Sequence, residues 1–251
     1  MKKIILAVLL VFVMVVPAMA ATTINIDQLS QAAFKSFSED FGMALSYQPV
    51  SPAAPLGDKL PGFDAGVEAS YVKIDKGASY YKLMSSMSTT SGKGELPNAL
   101  ILPRIHIQVG LPIIPIDLGV TYVSIPSSDM KLVGYELKYA VLEGGLAMPA
   151  VAIRGAYTKL SGVDVLDLST KSLDISISKG ILIFTPYAGV GEVWITSEPH
   201  SKYATGLKKE DITKTKTFVG TKMKVFPFIN LVVEGAFSNI KEYTARLNVN
   251  F

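Results

Sequence analysis

The chain has 251 residues, 49% of them hydrophobic, with 24 Lys and Arg against 21 Asp and Glu, two His and no Cys. A net charge of +3 gives no basic footprint for nucleic acid, and the missing cysteines exclude a disulfide framework and thiol catalysis. Mean hydropathy is positive at +0.36, yet beyond the N-terminal stretch no apolar run reaches the ~18 residues of a membrane-spanning helix.

Met1–Ala20 reads as a cleavable secretory signal peptide. Lys2 and Lys3 give the basic start, Ile4–Val16 the apolar core, and Ala18-Met19-Ala20 a small-x-small cleavage site. In Asp27–Phe41, residues Leu29, Ala33, Phe37 and Phe41 recur at helical spacing; this predicts a helix capped by Asp27 and ended by Gly42. Pro49, Pro52, Pro55 and Pro61 then fall within thirteen residues. Such a stretch cannot lie inside a sheet and is expected to be a stiff linker or an ordinary loop.

From Phe63 the pattern changes to strict alternation, the signature of strands with one apolar and one polar face. Phe63, Ala65, Val67, Ala69 and Tyr71 oppose Asp64, Gly66, Glu68 and Ser70. After a long polar loop at Asp75–Asn98, Ile101, Ile105, Ile107 and Val109 oppose Arg104, His106, Gln108 and Gly110. Further segments follow at about 118–123, 133–141, 151–158 and 172–178. The segment Phe184–Thr196 alternates imperfectly: facing Tyr187, Gly189 and Gly191 inward leaves Glu192 on the apolar side, and a β-bulge is expected there. Ser197–Ile212 reads as a charged loop, and three more segments end at Phe251.

Ten segments result, and their connections alternate between short turns and longer loops. Short turns on one side and long loops on the other are the habit of membrane barrels. The predicted fold is all-β: a transmembrane antiparallel up-and-down β-barrel of about ten strands, with a short N-terminal helix. Twelve strands would require another pair within Gly42–Pro61, which the prolines oppose. Phe63, Tyr139, Tyr187, Phe226 and Phe251 are expected near one rim, and Tyr71, Tyr122, Tyr157, Trp194, Phe237 and Tyr243 near the other, as two interfacial belts. A soluble β-sandwich with the same alternation is the rival; it would need polar outer faces and protected edges.

The last strand is the most specific feature. Tyr243, Ala245, Leu247, Val249 and Phe251 form one apolar face, and the chain stops on the aromatic residue. This resembles the C-terminal strand of bacterial outer-membrane β-barrels. The resemblance implies a Gram-negative outer-membrane location, contact with outer-membrane lipid and lipopolysaccharide, and an assembly signal at Tyr243, Leu247, Val249 and Phe251 read by the barrel-assembly machinery. The organisation then reads as signal peptide 1–20, N-terminal helix and Pro-rich linker 21–62, and barrel 63–251.

In such a barrel Arg104, His106, Glu136, Lys138, Arg154, Asp174, Lys222, Glu234 and Arg246 are expected to line the lumen, with Arg104, Glu136 and Lys138 close enough to pair across neighbouring strands. Two functions are open: a porin-like channel or binding barrel for small solutes, in which the N-terminal helix plugs the periplasmic mouth, and a structural or surface-interaction barrel with a closed lumen. Lys202, Lys208, Lys209, Lys214 and Lys216 are expected on the outer side, facing lipopolysaccharide phosphates or solvent. An enzyme is not expected. The only histidines are His106 and His200, no serine is paired with either, and neither a catalytic set, a metal site nor a cofactor motif stands out. A hydrolase would need His106 within reach of a hydroxyl and an acid.

Overall fold

The computed structural model describes residues 26, 28–90, 99–124, 129–200 and 206–251. The expected signal peptide, the Asp27 cap, Lys202 and most of the turn at 126–129 lie outside the described residues. Among the described residues twelve elements run in chain order: α1 (Gln31–Ala44), β1 (Gly62–Lys73), α2 (Ser79–Thr90), β2 (Ala99–Gly110), β3 (Ile116–Ser124), β4 (Lys131–Glu143), β5 (Ala150–Ser161), β6 (Leu166–Ser178), β7 (Phe184–Pro199), β8 (Glu210–Phe226), β9 (Ile229–Phe237) and β10 (Lys241–Asn250).

Each strand pairs antiparallel with the next, and β1 pairs with β10, so the sheet closes into a ten-stranded up-and-down barrel with no free edge. The closing seam runs without a break from Asp64↔Asn250 to Lys73↔Lys241. One end of the barrel carries Gly62, Phe251 and the short turns at 111–115, 144–149, 179–183 and 227–228. This is the turn end, and the other is the loop end. The alternation maps onto the wall as expected: Ile105, Leu118, Leu137, Ile175, Val219 and Val233 are exposed outside, while Arg104, Glu136, Arg154, Asp174 and Glu234 are buried inside. An uncovered apolar wall around a polar interior matches a hydrocarbon solvent, not water.

The register corrects several expectations. β7 keeps an unbroken register with both neighbours, so the bulge expected at Glu192 is absent, and Glu192 stands exposed on the outer face between Leu173 and Thr215. The register shifts occur instead at Ala140/Leu142 and Lys224/Phe226, beside turns. β7 runs to Pro199 and β8 begins at Glu210, so both ends of the charged loop expected at Ser197–Ile212 belong to an extended β7–β8 hairpin. Tyr187 is buried in the lumen and takes no part in an aromatic belt; Phe184 of the same strand is exposed at that rim, with Phe226 and Phe251. The polar stretch at 75–98 contains α2, whose Tyr80 ring packs edge-on against Phe37.

The N-terminal piece departs most from expectation. Helix α1 is capped by Ser30, whose Oγ accepts from the Ala33 N–H at 3.3 Å. Gly42 lies inside the helix and does not end it. A Cβ there would stand 2.4 Å from Cγ2 of Ile195, so the absent side chain lets the helix lie against β7. That contact puts α1 at the loop end, opposite the turn-end mouth where a plug or lid was expected. The reason is composition: inward positions near the loop end are apolar. Leu102, Val123, Leu132, Leu160, Leu168, Ile195 and Ile212 join Leu29, Phe34, Phe37 and Met43 in one buried cluster. The barrel therefore has a soluble-type core at its loop end, with α1 as the stopper.

From α1 the chain must return to β1 at the turn end, and it does so through the lumen. Leu45, Tyr47, Val50 and Ala53 are all at most 2% exposed. The stretch 45–57 threads the barrel as irregular chain, with bends at Ser46, Ser51, Ala53, Ala54 and Leu56 and a left-handed kink at Val50. The expected linker is thus an internal strut. Proline suits it: each one fixes φ, pushes its predecessor toward extended geometry and removes an N–H that a lumen would have to satisfy.

Candidate functional site

The lumen site is built from wall side chains and the threaded backbone. Five wall residues donate to six carbonyl groups between Ala44, the last residue of α1, and Ala54 of the strut. Arg104 reaches Ala44 O at 3.0 Å, Thr158 reaches Leu45 O at 3.1 Å, and Lys216 reaches Tyr47 O at 2.6 Å. Arg246 reaches Val50 O at 3.3 Å, and Lys138 reaches Pro52 O at 3.2 Å and Ala54 O at 3.1 Å. Three of the strut's N–H groups are met by acceptors on the wall: Val50 N–H gives to Glu234 at 3.0 Å, Ala53 N–H to Ser178 Oγ at 3.1 Å and Leu56 N–H to Asp117 at 3.0 Å. Buried backbone groups without partners are costly, and here the wall replaces the water the strut has lost. Val50 holds φ 42°, a strained left-handed angle for a β-branched residue, and the Glu234 and Arg246 bonds pin it there.

The wall charges also neutralise one another. Arg104 pairs with Glu242 at 3.1 Å and Glu68 at 3.8 Å, and donates to Ser70 at 2.8 Å. Arg154 lies between Asp174 at 3.5 Å and Glu136 at 3.6 Å, with Gln108 donating to Glu136. Lys138 pairs with Asp117 at 2.8 Å, and Arg246 with Asp64. Arg104, Glu136 and Lys138 do not pair among themselves. Arg104 stands level with Glu68 of β1, whereas Glu136 is level with Gln108 through Gly119, so the register separates them along the barrel. Lys222 is half-buried at the turn end and makes no ion pair among the described residues.

His106 is fully buried, hydrogen-bonded to Tyr47 OH at 2.6 Å and facing Glu68 Oε2 at 3.4 Å. The hydroxyl and the acid are therefore present, but the hydroxyl is a phenol carried by the strut, and the group is sealed from both ends. The residues that sequence reasoning missed are Asp117, Lys216 and Glu242. Asp117 lies just before the segment expected at 118–123, and Lys216 in a run of alternating lysines read as outer surface. Lys216 is 2% exposed inside the barrel. Of the same group, Lys214 binds Glu39 of α1 at 2.7 Å, Lys209 pairs with Asp211 at 3.3 Å, and the Lys208 backbone bonds to Gln31.

At the loop end, Tyr80 donates to Asp40 at 2.8 Å, and burial pushes the Asp40 carboxyl above its ordinary range. Outside the barrel, a hydrogen bond with Asp167 at 2.9 Å holds the His200 imidazole above its usual pKa. The expected assembly residues lie on the outer face of β10 and its extension. Tyr243, Val249 and Phe251 are exposed and Leu247 half-buried, and the Phe251 ring tilts against Phe63 at 5.5 Å.

No protein-family model matches the chain, and neither does any curated protein sequence. Among solved structures it is similar to the translocator domain of autotransporter NalP from Neisseria meningitidis, with 9% identity, 92% of this chain and 99% of that one covered, and a TM-score of 0.39. The KdgM porin aligns at 9% identity over 74% of this chain and 99% of its own, with a TM-score of 0.35. Ail, the attachment invasion locus protein of Yersinia pestis, solved with the heparin analogue sucrose octasulfate, aligns at 11% identity over 76% and 97%, with a TM-score of 0.29. These are loose likenesses, all to outer-membrane β-barrels; the class rests on the barrel's own closure, its apolar exterior and its polar interior.

Proposed function

We propose that the chain is a Gram-negative outer-membrane barrel, exported by its signal peptide, whose lumen is closed by its own N-terminal segment. In this reading it acts as an anchored surface structure and not as an open conduit. The short turns face the periplasm, and α1, α2 and the long loops face outward. The supporting observation is the set of wall donors bonded to the carbonyls from Ala44 to Ala54. A solute path would require all of these bonds, and the apolar stopper beyond them, to break together. The reading is non-enzymatic, because His106 is out of reach of any substrate. The partners it implies are outer-membrane lipopolysaccharide and the barrel-assembly machinery, the latter through Tyr243, Leu247, Val249 and Phe251.

The porin-like channel for small solutes remains the competing function, and a lock on the stopper separates the two. Ser38 and Ser197 face each other with their Oγ atoms 2.8 Å apart, and the chain has no native cysteine. A Ser38→Cys/Ser197→Cys variant can therefore tie α1 to β7. In planar bilayers the closed-lumen reading expects silence from the intact protein, locked or reduced. Steady conductance of the reduced form that disappears on oxidation would overturn it in favour of a gated channel.

A further inference from the structure

Between the strut and the turn end lies a cavity of about 320 Å³ that nothing in the closed lumen uses. Its basic lining outweighs its acidic lining. Lys138, Lys179, Lys222, Lys224 and Arg246 face it, against Asp64 and Glu143. Lys138 and Arg246 are engaged by Asp117 and Asp64, and Lys179 donates to three carbonyl groups of the 144–149 turn. Among the described residues, Lys222 and Lys224 have no acid within ion-pair distance. Lys222 is half-buried and Lys224 exposed at the rim, so water answers Lys224 and an anion would relieve chiefly the half-buried Lys222 ammonium.

The second observation is independent of charge. Four buried side chains that line the same cavity each carry a polar atom with no partner: Ser51 Oγ, Gln108 Oε1, Asn248 Oδ1 and Arg246 Nε. All four residues are at least nine-tenths buried. Most buried polar atoms in native proteins are paired, so four orphans on residues that line one void could be met by a bound molecule once small side-chain rotations turn them toward it. The set has a definite chemistry. Lys222, Lys224 and Arg246 suit an anionic group; Gln108 Oε1 and Asn248 Oδ1 are acceptors and call for hydroxyl donors; the Ser51 hydroxyl serves either role.

We infer that the turn-end cavity is a binding site for one small hydroxylated organic anion, a carboxylate or a phosphate ester, held between Lys222 and Lys224 on the wall and Ser51 on the strut. The ligand enters from the turn side and goes no further, because the strut forms the floor. The site rests on the closed-lumen reading in this respect alone: Ser51 must stay in the lumen. The void admits a molecule of about monosaccharide size, at the lower end of the range for ligand pockets.

Calorimetric titration of the intact barrel in micelles tests it with three molecules: gluconate, glucose 6-phosphate and uncharged glucose. Saturable binding of at least one of the two anions at one site per barrel, with glucose silent, is the expected result; which anion binds identifies the anionic group. Lys222→Met/Lys224→Met should weaken that binding by about tenfold or more, and Lys222→Arg/Lys224→Arg should keep it. No binding by either anion, equal binding by glucose, or binding that the Met pair leaves untouched would each overturn the site. The bilayer recording on the same sample reports the strut separately, so a silent barrel that binds no anion refutes the site and leaves the closed lumen standing.

Discussion

Lys216 Nζ donates to the carbonyl of Tyr47 at 2.6 Å, so a buried wall cation holds the backbone of a segment 169 residues earlier in the chain. Tyr47 in turn hydrogen-bonds His106 through its hydroxyl, so the bond fixes the strut at mid-lumen from two sides. Replacing Lys216 with Met keeps the stem and deletes the donor. The Tyr47 carbonyl is then left without a partner, at a cost of about 1–3 kcal/mol. The expected result is a lowered urea midpoint for the folded barrel in micelles and faster protease cleavage within residues 45–57. An unchanged midpoint would mean the strut is held elsewhere.

The seat of α1 against β7 depends on Gly42. A Cβ there would meet the Ile195 side chain at 2.4 to 3.1 Å, and Ile195 is itself stiff and fully packed. Gly42→Val should overpack the stopper and destabilise it by about 1–3 kcal/mol. Pairing it with Ile195→Ala should recover most of the loss if the clash is local, because the two side chains share one space. Measuring both variants and the single Ile195→Ala by the same urea unfolding completes the cycle; strict additivity would reject the contact.

Odd-even alternation made the wall legible in the sequence. It requires only that Ile105 and Ile107 face lipid while Arg104 and His106 do not, and the register follows that rule around the barrel. Two places escaped it for physical reasons. At the loop end, Leu102, Val123 and Ile195 point inward, because α1 gives them an apolar neighbour there; a polar-inside rule cannot foresee a helix in the mouth. The path of residues 45–57 was also illegible. Proline signals only extended, donor-poor chain, which serves a linker in water and a strut in a lumen equally well. The difference lies in long-range partners such as Lys138 and Lys216, whose spacing in sequence carries no sign of Pro52 or Tyr47.

The loop-end tether at His200 should titrate. Its Nε2 faces Asp167 at 2.9 Å and its Nδ1 the Asp164 carbonyl at 2.6 Å, and the Asp167 hydrogen bond is the larger cause of the raised pKa. A histidine whose folded pKa is raised contributes its stabilisation in full below the unfolded value of about 6.5, and loses it as pH rises through the folded value. The joint between the 162–165 turn and the end of β7 should therefore loosen above neutral pH. In an NMR titration, His200 should show a midpoint above that of a free histidine in the parent protein and a lower one in Asp167→Asn. Because the group is largely solvent-exposed, the effect on global stability should be slight.

Glu192 is an acid on the lipid-facing surface of β7, two residues from Trp194 and level with Leu173 and Thr215. The unbroken register means that no bulge turns it away, so the carboxylate sits in or just below the interfacial belt. A charge on this face costs up to ~2–4 kcal/mol for a cation at the midplane, less for an acid and less near the interface. Glu192→Val should therefore stabilise the barrel by about 1 kcal/mol in phospholipid vesicles, since valine is apolar and suits a strand. The gain should shrink in short-chain detergent, where the belt is wetter. A loss of stability in vesicles would mean that the carboxylate has a partner on the outer wall.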